Sequence, residues 1–202
     1  MSEKHVGFIG LGIMGGPMAG HLLEAGHRLC MQTRTASKAA ALVERGAELK
    51  ATACEVAAAC EVVMLCVPDT PDVEGVLFGA GGVVAGAKEG LIVVDHSTIS
   101  PEATRGFSER LAERGVRLID APVSGGDVGA QRGTLSIMAG GDAEAFAAVE
   151  PLLGCYGTAV RVGESGAGQA CKACNQLGGL RRSSGCARRW PWRGRRGSTW
   201  RR

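Results

Sequence analysis

The pattern Gly-x-Gly-x-x-Gly at residues 10, 12 and 15 constrains the fold of this chain more than any other feature. It follows an apolar segment, His5–Ile9, that predicts a buried strand, and it opens a helical pattern that continues to about Ala25. Such a turn lets a pyrophosphate approach the backbone, and the amides at the helix N-terminus bind its oxygens. In this context the pattern predicts a dinucleotide-binding turn rather than a glycine-rich turn that binds nothing. The candidate cofactor contacts in the turn are Gly10, Leu11, Gly12, Ile13, Met14 and Gly15.

Strand and helix patterns alternate along the rest of the chain. Apolar segments predict further strands at residues 28–33, 61–67, 91–95, 116–120, 134–139 and 158–162. Thr52, Ser100 and Asp142 stand at positions typical of helix N-caps. Because strands that alternate with helices favour the α/β class, we predict a doubly wound, Rossmann-type, mostly parallel sheet.

The composition excludes several other classes of protein. With 45% apolar and 21% charged residues among 202, the chain is too apolar for a disordered protein. No uncharged apolar stretch reaches the roughly 18 residues of a membrane helix, so we expect no membrane association. The net charge of +3 comes from the nine arginines of residues 178–202, which include no acid. Residues 1–177 hold 14 Lys and Arg against 20 Asp and Glu, a charge of about −6, which is ordinary for an acidic soluble domain.

The eight cysteines show no disulfide framework spacing, and the N-terminus lacks the features of a secretory signal. We therefore expect reduced thiols and a cytoplasmic protein. Cys171 and Cys174 form a Cys-x-x-Cys pair with no second pair and no histidines near them. We interpret them as two helix residues rather than as zinc ligands or a redox pair, and we predict no metal site.

The segment after the second predicted strand bears on the choice of cofactor. NAD-binding turns of this kind usually offer an acid to the ribose hydroxyls about 20 residues after the glycines. This chain has Gln-Thr-Arg-Thr at residues 32–35 and no acid before Glu44. Arg34 could pair with the 2′-phosphate of NADP while Thr33 and Thr35 donate hydroxyl groups. We predict NADP, with NAD as the alternative if Arg34 is merely a solvated loop residue.

Four segments, taken together, resemble the β-hydroxyacid dehydrogenase family. They are the glycine turn with its flanks (residues 7–19), Asp-His-Ser-Thr-Ile-Ser-Pro (95–101), Asp-Ala-Pro-Val-Ser-Gly-Gly (120–126) and Gly-Ala-Gly-Gln through Lys to Asn (166–175). They occur in the order typical of the family. His21 departs from the family, which commonly has Asn there, and we interpret it as a helix-surface or packing residue.

The resemblance implies an oxidoreductase that interconverts a small β-hydroxyacid and its semialdehyde by hydride transfer with NADP(H) or NAD(H). It implies further cofactor contacts at the ribose and nicotinamide, from Val67, Pro68 and Thr98. It implies substrate contacts from Ser124, Gly125, Gly126 and Asn175. The family's catalytic residue, a lysine that donates the proton, corresponds to Lys172.

The residues alone support these roles only in part. Lys172 and Asn175 are three apart and would share a helix face, although a lone helical lysine is normally solvated. Ser124–Gly126 indicates a flexible turn whose amides would suit a small carboxylate. Thr98 is equally well explained as a hydroxyl that caps a turn at a strand end.

In the family, the helix that carries the lysine leads into an all-helical domain that closes the cleft and forms much of a dimer interface. We expect an NAD(P)-binding domain at residues 1–163, the start of the inter-domain helix at 164–177 with its end at Gly178-Gly179, and a basic low-order tail at 178–202. The tail resembles a frameshifted reading. Because residues 178–202 are too few and too rich in glycine and arginine to build the all-helical domain, we expect impaired turnover and do not expect the homo-oligomer of the family. The alternatives are a non-catalytic dinucleotide-binding module, an inactive gene remnant, or nucleic-acid binding through the tail with Trp190 and Trp192.

Overall fold

The computed structural model describes residues 3–183, and it describes side chains as far as Leu177. Over that range the strands are β1 His5–Ile9, β2 Arg28–Gln32, β3 Glu48–Leu49, β4 Val62–Leu65, β5 Ile92–Asp95, β6 Arg117–Asp120, β7 Val123–Ser124, β8 Leu135–Gly140 and β9 Gly157–Gly163. The helices are α1 Gly15–Glu24, α2 Ala40–Glu44 after a 3₁₀ turn at Ala36–Ala39, α3 Ala53–Ala59, α4 Thr70–Phe78, α5 Val83–Gly86, α6 Pro101–Ala112, α7 Gly126–Arg132, α8 Ala143–Leu153 and α9 Ala167–Ser183.

The strands form one sheet in the order β3-β2-β1-β4-β5-β6-β8-β7, and β9 also pairs with β8. The pairs from β3 to β6 are parallel, whereas β8 runs antiparallel to β6 and β7. The prediction of a doubly wound, mostly parallel sheet is confirmed. The strand order reverses between β1 and β4, and open α/β sheets bind ligands at the carboxyl ends of the strands beside such a point.

Apolar side chains cover both faces of the sheet, as a parallel sheet requires. On one face Phe8 and Met64 pack against Met18 and Leu22 of α1. The opposite face, which includes Leu65, packs against helices α3, α4 and α6. Because consecutive strand residues point to opposite faces, β4 is buried along its whole length. This two-sided core fixes the strand ends at which the loops of the site begin.

The expected N-caps at Thr52, Ser100 and Asp142 are confirmed. The Thr52 hydroxyl accepts the Glu55 amide at 3.2 Å, and the Asp142 carboxylate accepts the Ala145 amide at 2.8 Å. The Ser100 hydroxyl accepts two amides of the first turn of α6. Helix α1, in contrast, has no side-chain cap, so no capping side chain competes with a ligand for the amides at its start.

Two expectations about local structure are wrong. Ser124–Gly126 is not a flexible turn: Ser124 belongs to β7, which pairs with β8, and Gly126 begins α7. The helix that carries Lys172 does not end at Gly178-Gly179, because the backbone stays helical to Ser183. A glycine inside a helix costs only about 1 kcal/mol relative to alanine, which a long helix can tolerate.

Residues 184–202, with Trp190 and Trp192, lie outside the described residues, so the predictions about the tail and the domain bounds stay predictions. No helix within residues 3–183 combines the length and the hydropathy that a membrane crossing needs. The cysteines of the described part are free thiols, and Cys171 and Cys174 lie on α9 as expected.

Candidate active site

The glycine turn between β1 and α1 has the geometry that its sequence predicts. Gly10 has a φ of +93°, and a Cβ there would overlap the carbonyl oxygen of Cys66 on the neighbouring β4 end. A Cβ on Gly15 would overlap the carbonyl oxygen of Gly10. Gly12 differs, because no atom beyond its two chain neighbours lies within 4 Å of the position its Cβ would take. The chain therefore needs Gly10 and Gly15 for its own packing, while Gly12 leaves space for a ligand.

A cavity of about 720 Å³ runs along this turn at the carboxyl edge of the sheet. That volume is within the range of roughly 300–1,000 Å³ typical of ligand sites. Its walls include the glycine turn, the segment after β2, the Val67-Pro68 segment after β4, and Asp72 of α4. The uncapped α1 and the open position at Gly12 fit the pyrophosphate of a dinucleotide. Each predicted cofactor contact except Thr98 lines this cavity.

The far end of the cavity carries two cations and a carboxylate. Arg34, whose side chain is 78% exposed, lies with Nη1 3.2 Å from Oδ1 of Asp72. Lys38 of the 3₁₀ turn lines the same cavity, and so do Thr33 and Thr35. Sequence reasoning missed Lys38, although its position four residues after Arg34 in Thr-Arg-Thr-x-x-Lys could have indicated it.

Two buried polar residues fix the segments that follow β4 and β5. The Val67 amide donates to Oγ of Ser97 at 3.0 Å, and the Ser97 amide donates to Oδ1 of Asp95 at 2.8 Å. Burial raises the pKa of Asp95 to about 7. Sequence reasoning assigned no role to Asp95 or Ser97. The position of Asp95, an acid at the end of an apolar strand, could have indicated a buried polar contact there. Thr98, the next residue, is exposed beside this pair.

Asp120, at the end of β6, caps helix α9 from the sheet. Its Oδ1 accepts the Gly166 amide at 2.8 Å and its Oδ2 accepts the Gln169 amide at 2.9 Å. The side chain is fully buried, and burial raises its pKa above the ordinary value. The first turn of α9 is thereby attached to the same sheet edge as the cavity.

Gln169 attaches α9 to the segment around Thr98. Its Nε2 donates to the Ser97 carbonyl at 2.7 Å, and its Oε1 accepts the Ile99 amide at 3.1 Å. These two bonds lie on either side of Thr98. Since Lys172 follows Gln169 by three residues, both lie on one side of the helix. Thr98 and the Lys172 turn therefore belong to one rigid unit.

Lys172 is a buried lysine, with 7% of its surface exposed. Burial lowers its pKa, because desolvation disfavours the charged form. No carboxylate among the side chains of residues 3–177 forms an ion pair with it. A lysine in this environment can exchange a proton more readily than a solvated one, because its charged form is less favoured.

The structure brings two predicted substrate contacts together. Nδ2 of Asn175 on α9 donates to Oγ of Ser124 on β7 at 3.2 Å. Gly125 and Gly126, the next two residues, are exposed. Their φ angles of +134° and +64° are ones that only glycine adopts readily. The polar group formed by Ser124, Asn175 and these exposed amides could hold a small carboxylate.

Two histidines near the site have packing roles. Nε2 of His21 lies 3.0 Å from the Ala130 carbonyl and so joins α1 to α7, which confirms its interpretation as a packing residue. His96 is buried between the Ala121 carbonyl at Nδ1 and the Tyr156 hydroxyl at Nε2, both 2.8 Å away. Burial lowers the pKa of His96 to about 4, so its ring is neutral at physiological pH.

The fold and the cavity define a dinucleotide-binding α/β domain. Residues 5–165 match the family described as the NAD binding domain of 6-phosphogluconate dehydrogenase. The chain is 47% identical over 173 residues to the 2-hydroxy-3-oxopropionate reductase of Escherichia coli strain K12, a match that covers 85% of this chain and 59% of that protein. The chain therefore belongs to the β-hydroxyacid dehydrogenase family, and it contains the family's NAD(P)-binding domain.

Solved structures agree with this assignment. The 3-hydroxyisobutyrate dehydrogenase of Mycobacterium tuberculosis with L-serine superposes with a TM-score of 0.83 at 32% identity, covering 87% of this chain and 60% of that one. The structure of Psf3 in complex with NADP⁺ and 2-OPP gives a TM-score of 0.81 at 35% identity, covering 86% of this chain and 62% of that one. The chain spans about 60% of the length of the curated relatives it matches.

Proposed function

We propose that this chain is the NADP(H)-binding part of an oxidoreductase that interconverts a small β-hydroxyacid and its semialdehyde. The observation that carries the proposal is Lys172, a buried lysine without an ion-pair partner among the described side chains. Its helix is attached by Asp120 and Gln169 to the edge of the sheet that holds the dinucleotide cavity. The names of the relatives, a reductase of 2-hydroxy-3-oxopropionate and a dehydrogenase of 3-hydroxyisobutyrate, support the substrate class.

A bound nicotinamide dinucleotide supplies or accepts the hydride in chemistry of this class. Lys172 would donate its proton to the aldehyde oxygen as that oxygen gains negative charge, and it would accept the proton in the reverse direction. Its lowered pKa brings proton transfer closer to neutral pH. Ser124, Gly125, Gly126 and Asn175 would hold the acid and hydroxyl groups of the substrate beside it. Thr98, attached on both sides through Gln169, would line the reacting end of the cofactor.

Two features support NADP rather than NAD as the preferred cofactor. Arg34 and Lys38 give positive charge to the end of the cavity beyond the glycine turn, and Thr33 and Thr35 add hydroxyl groups. The segment after β2 has no acid to accept the ribose hydroxyls, and Arg34, which could pair with a 2′-phosphate, takes that position. The NADP⁺ complex of one structural neighbour agrees with this choice.

The proposal extends to the location of the protein and to its partners. The free thiols of the described cysteines support a reducing compartment, the cytoplasm. The substrate would be a small molecule, and neither a membrane nor a nucleic acid would be a partner.

The experiment that tests the function removes the ammonium of Lys172. Lys172→Met retains the apolar stem, so we expect an unchanged dissociation constant for NADPH and at least about a 100-fold loss of turnover, the contribution typical of a general acid. NADPH oxidation with 2-hydroxy-3-oxopropionate would be measured in this chain and in a fusion of residues 1–177 to the C-terminal region of the Escherichia coli reductase. Lys88→Met, an exposed lysine at the opposite edge of the sheet, is the matched control. Equal turnover in both variants would contradict the role of Lys172, and a fusion that binds NADPH without oxidising it would favour a non-catalytic binding module.

A further inference from the structure

Asp72 occupies a position in the cofactor cavity that the roles assigned so far leave unexplained. It lies in the first turn of α4, where its amide donates to Oδ1 of Asp69, the N-cap of that helix, at 3.3 Å. This bond fixes the turn, so the Asp72 side chain is presented from a rigid element. Asp72 is 29% exposed and lines the cavity opposite the segment that follows β2.

The carboxylate of Asp72 forms an ion pair across the cavity with the guanidinium of Arg34. Among the described side chains, neither residue has a second ion-pair partner. Arg34 is therefore engaged before any cofactor arrives. A phosphate that binds Arg34 has to displace Asp72 or share the guanidinium with it, and it approaches a negative charge in doing so.

The two nicotinamide cofactors meet this ion pair differently. The 2′-phosphate of NADP carries close to two negative charges at neutral pH, so it competes with Asp72 for Arg34 and is repelled by the carboxylate. The 2′-hydroxyl of NAD is neutral and leaves the ion pair intact. Asp72 could also accept that hydroxyl, as the missing acid after β2 would have done.

We propose that Asp72 is a specificity-determining residue that limits the preference of this site for NADP(H) over NAD(H). It acts through Arg34, since its carboxylate withholds the guanidinium from the 2′-phosphate. The inference rests on the proposed dinucleotide cavity, but it does not depend on catalysis. Removing the negative charge should strengthen the binding of NADPH and leave the binding of NADH nearly unchanged.

The test measures dissociation constants of NADPH and NADH by calorimetry for the wild type and Asp72→Asn, at low and high salt. We expect NADPH to bind about two- to fivefold more tightly to Asp72→Asn, the range for losing one partly exposed ionic competitor, with a smaller gain at high salt. NADH should change by less than about twofold, or weaken slightly if Asp72 accepts the ribose hydroxyl.

Glu74→Gln is the matched control, because Glu74 is an acid of the same helix that pairs with Arg110 and does not line the cavity. Neutralising it should leave both cofactors unaffected. Asp72→Asn in an Arg34→Gln background should give a clearly smaller gain for NADPH than in the wild-type background, because only the direct repulsion between the carboxylate and the phosphate is then relieved. Melting temperatures confirm that each variant is folded, and Asp72→Ser is a second neutral variant if Asp72→Asn is unstable.

Three results would overturn the inference: an unchanged affinity for NADPH in Asp72→Asn, an equal gain in Glu74→Gln, or a gain that is as large without Arg34 as with it. These results are separable from a failure of the proposed function. A wild type that prefers NADH would contradict the NADP assignment, yet an NADPH gain confined to Asp72→Asn would still support the role of Asp72. A wild type that binds neither cofactor would overturn both.

Discussion

Asp120 accepts the backbone amide of Gln169 at 2.9 Å, and this bond joins the end of β6 to the helix that carries Lys172. The other oxygen of the same carboxylate accepts the Gly166 amide at 2.8 Å. A single side chain of the sheet thus satisfies two amides of the helix start and sets where the helix begins. Lys172, the candidate proton donor, lies three residues after Gln169, so this cap determines where it is placed.

The first prediction concerns that cap. Asp120→Asn replaces one acceptor with an NH₂ group, so one of the two amides loses its partner in a fully buried site. We expect the free energy of unfolding to fall by about 1–3 kcal/mol, the usual cost of a buried unsatisfied group. Urea unfolding measures it, with Asp127→Asn, an exposed acid of α7, as the control. Equal stability of the two variants would show that the cap contributes nothing.

The second prediction concerns pH. Burial raises the pKa of Asp95 to about 7, so the folded chain keeps a proton that the unfolded chain releases, and this carboxyl lowers stability as the pH rises from about 4 to about 7. Burial lowers the pKa of His96 to about 4, so this ring raises stability as the pH rises from about 4 to about 6.5. The two neighbours oppose each other in the wild type.

Variants of these two residues separate the contributions. Relative to the wild type, Asp95→Asn should gain stability as the pH rises from about 4 to about 7, by up to about 1.4 kcal/mol per pH unit. His96→Gln should show the opposite slope. Chemical unfolding between pH 4 and pH 8 measures both. Parallel curves for all three proteins would mean that neither group titrates differently in the folded and unfolded states.

The third prediction contrasts two glycines of the phosphate turn. Apart from chain neighbours and the backbone of the same helix, no atom lies within 4 Å of the Cβ position of Gly12 or of Gly16, but of these two only Gly12 lines the cavity. Gly12→Ala should keep the melting temperature and weaken NADPH binding at least about tenfold, because the new methyl group occupies the path of the pyrophosphate. Gly16→Ala should retain both the melting temperature and the affinity. If Gly12→Ala bound NADPH as the wild type does, the phosphates would have to lie elsewhere.

The fourth prediction concerns the contact between Ser124 and Asn175. If these residues hold substrate, Ser124→Ala and Asn175→Ala in the fusion described above should lower kcat/KM at least about tenfold, since each removes a polar contact to the substrate. The dissociation constant of NADPH should stay nearly the same. Ser136→Ala, which alters the exposed partner of Ser124 in the β7–β8 register, is the control. A parallel loss of cofactor affinity would assign the pair to the cofactor site or to folding.

The parts of the site that sequence reasoning found are those that local patterns encode. The glycine turn could be predicted because its three glycines and its flanking strand and helix are contiguous in the chain. Strand β7 could not be predicted, since its two residues, Val123 and Ser124, form a strand only through pairing with β8. The persistence of α9 beyond Gly178 was missed because glycine weakens a helix without necessarily ending it.

Contacts between distant segments were also out of reach. Nothing in the sequence near Asp120 indicates that it caps a helix beginning at Ala167, and nothing near Arg34 indicates that Asp72 lies opposite it. His96 stands in one of the segments that carry the family resemblance, yet it packs into the core against Tyr156 rather than facing the cavity. Burial and pairing partners decide such roles, and both depend on the folded sheet.

The central claim is that the carboxyl edge of this sheet binds NADP(H), with Arg34 at the 2′-phosphate. Calorimetric titration of this chain and of Arg34→Asp with NADPH and NADH tests it most directly. The account predicts one saturable site, NADPH bound at least about tenfold more tightly than NADH by the wild type, and loss of that preference in Arg34→Asp, since each lost charge-assisted contact is worth about one order of magnitude. Equal affinity of the wild type for both cofactors, unchanged by the substitution, would contradict it.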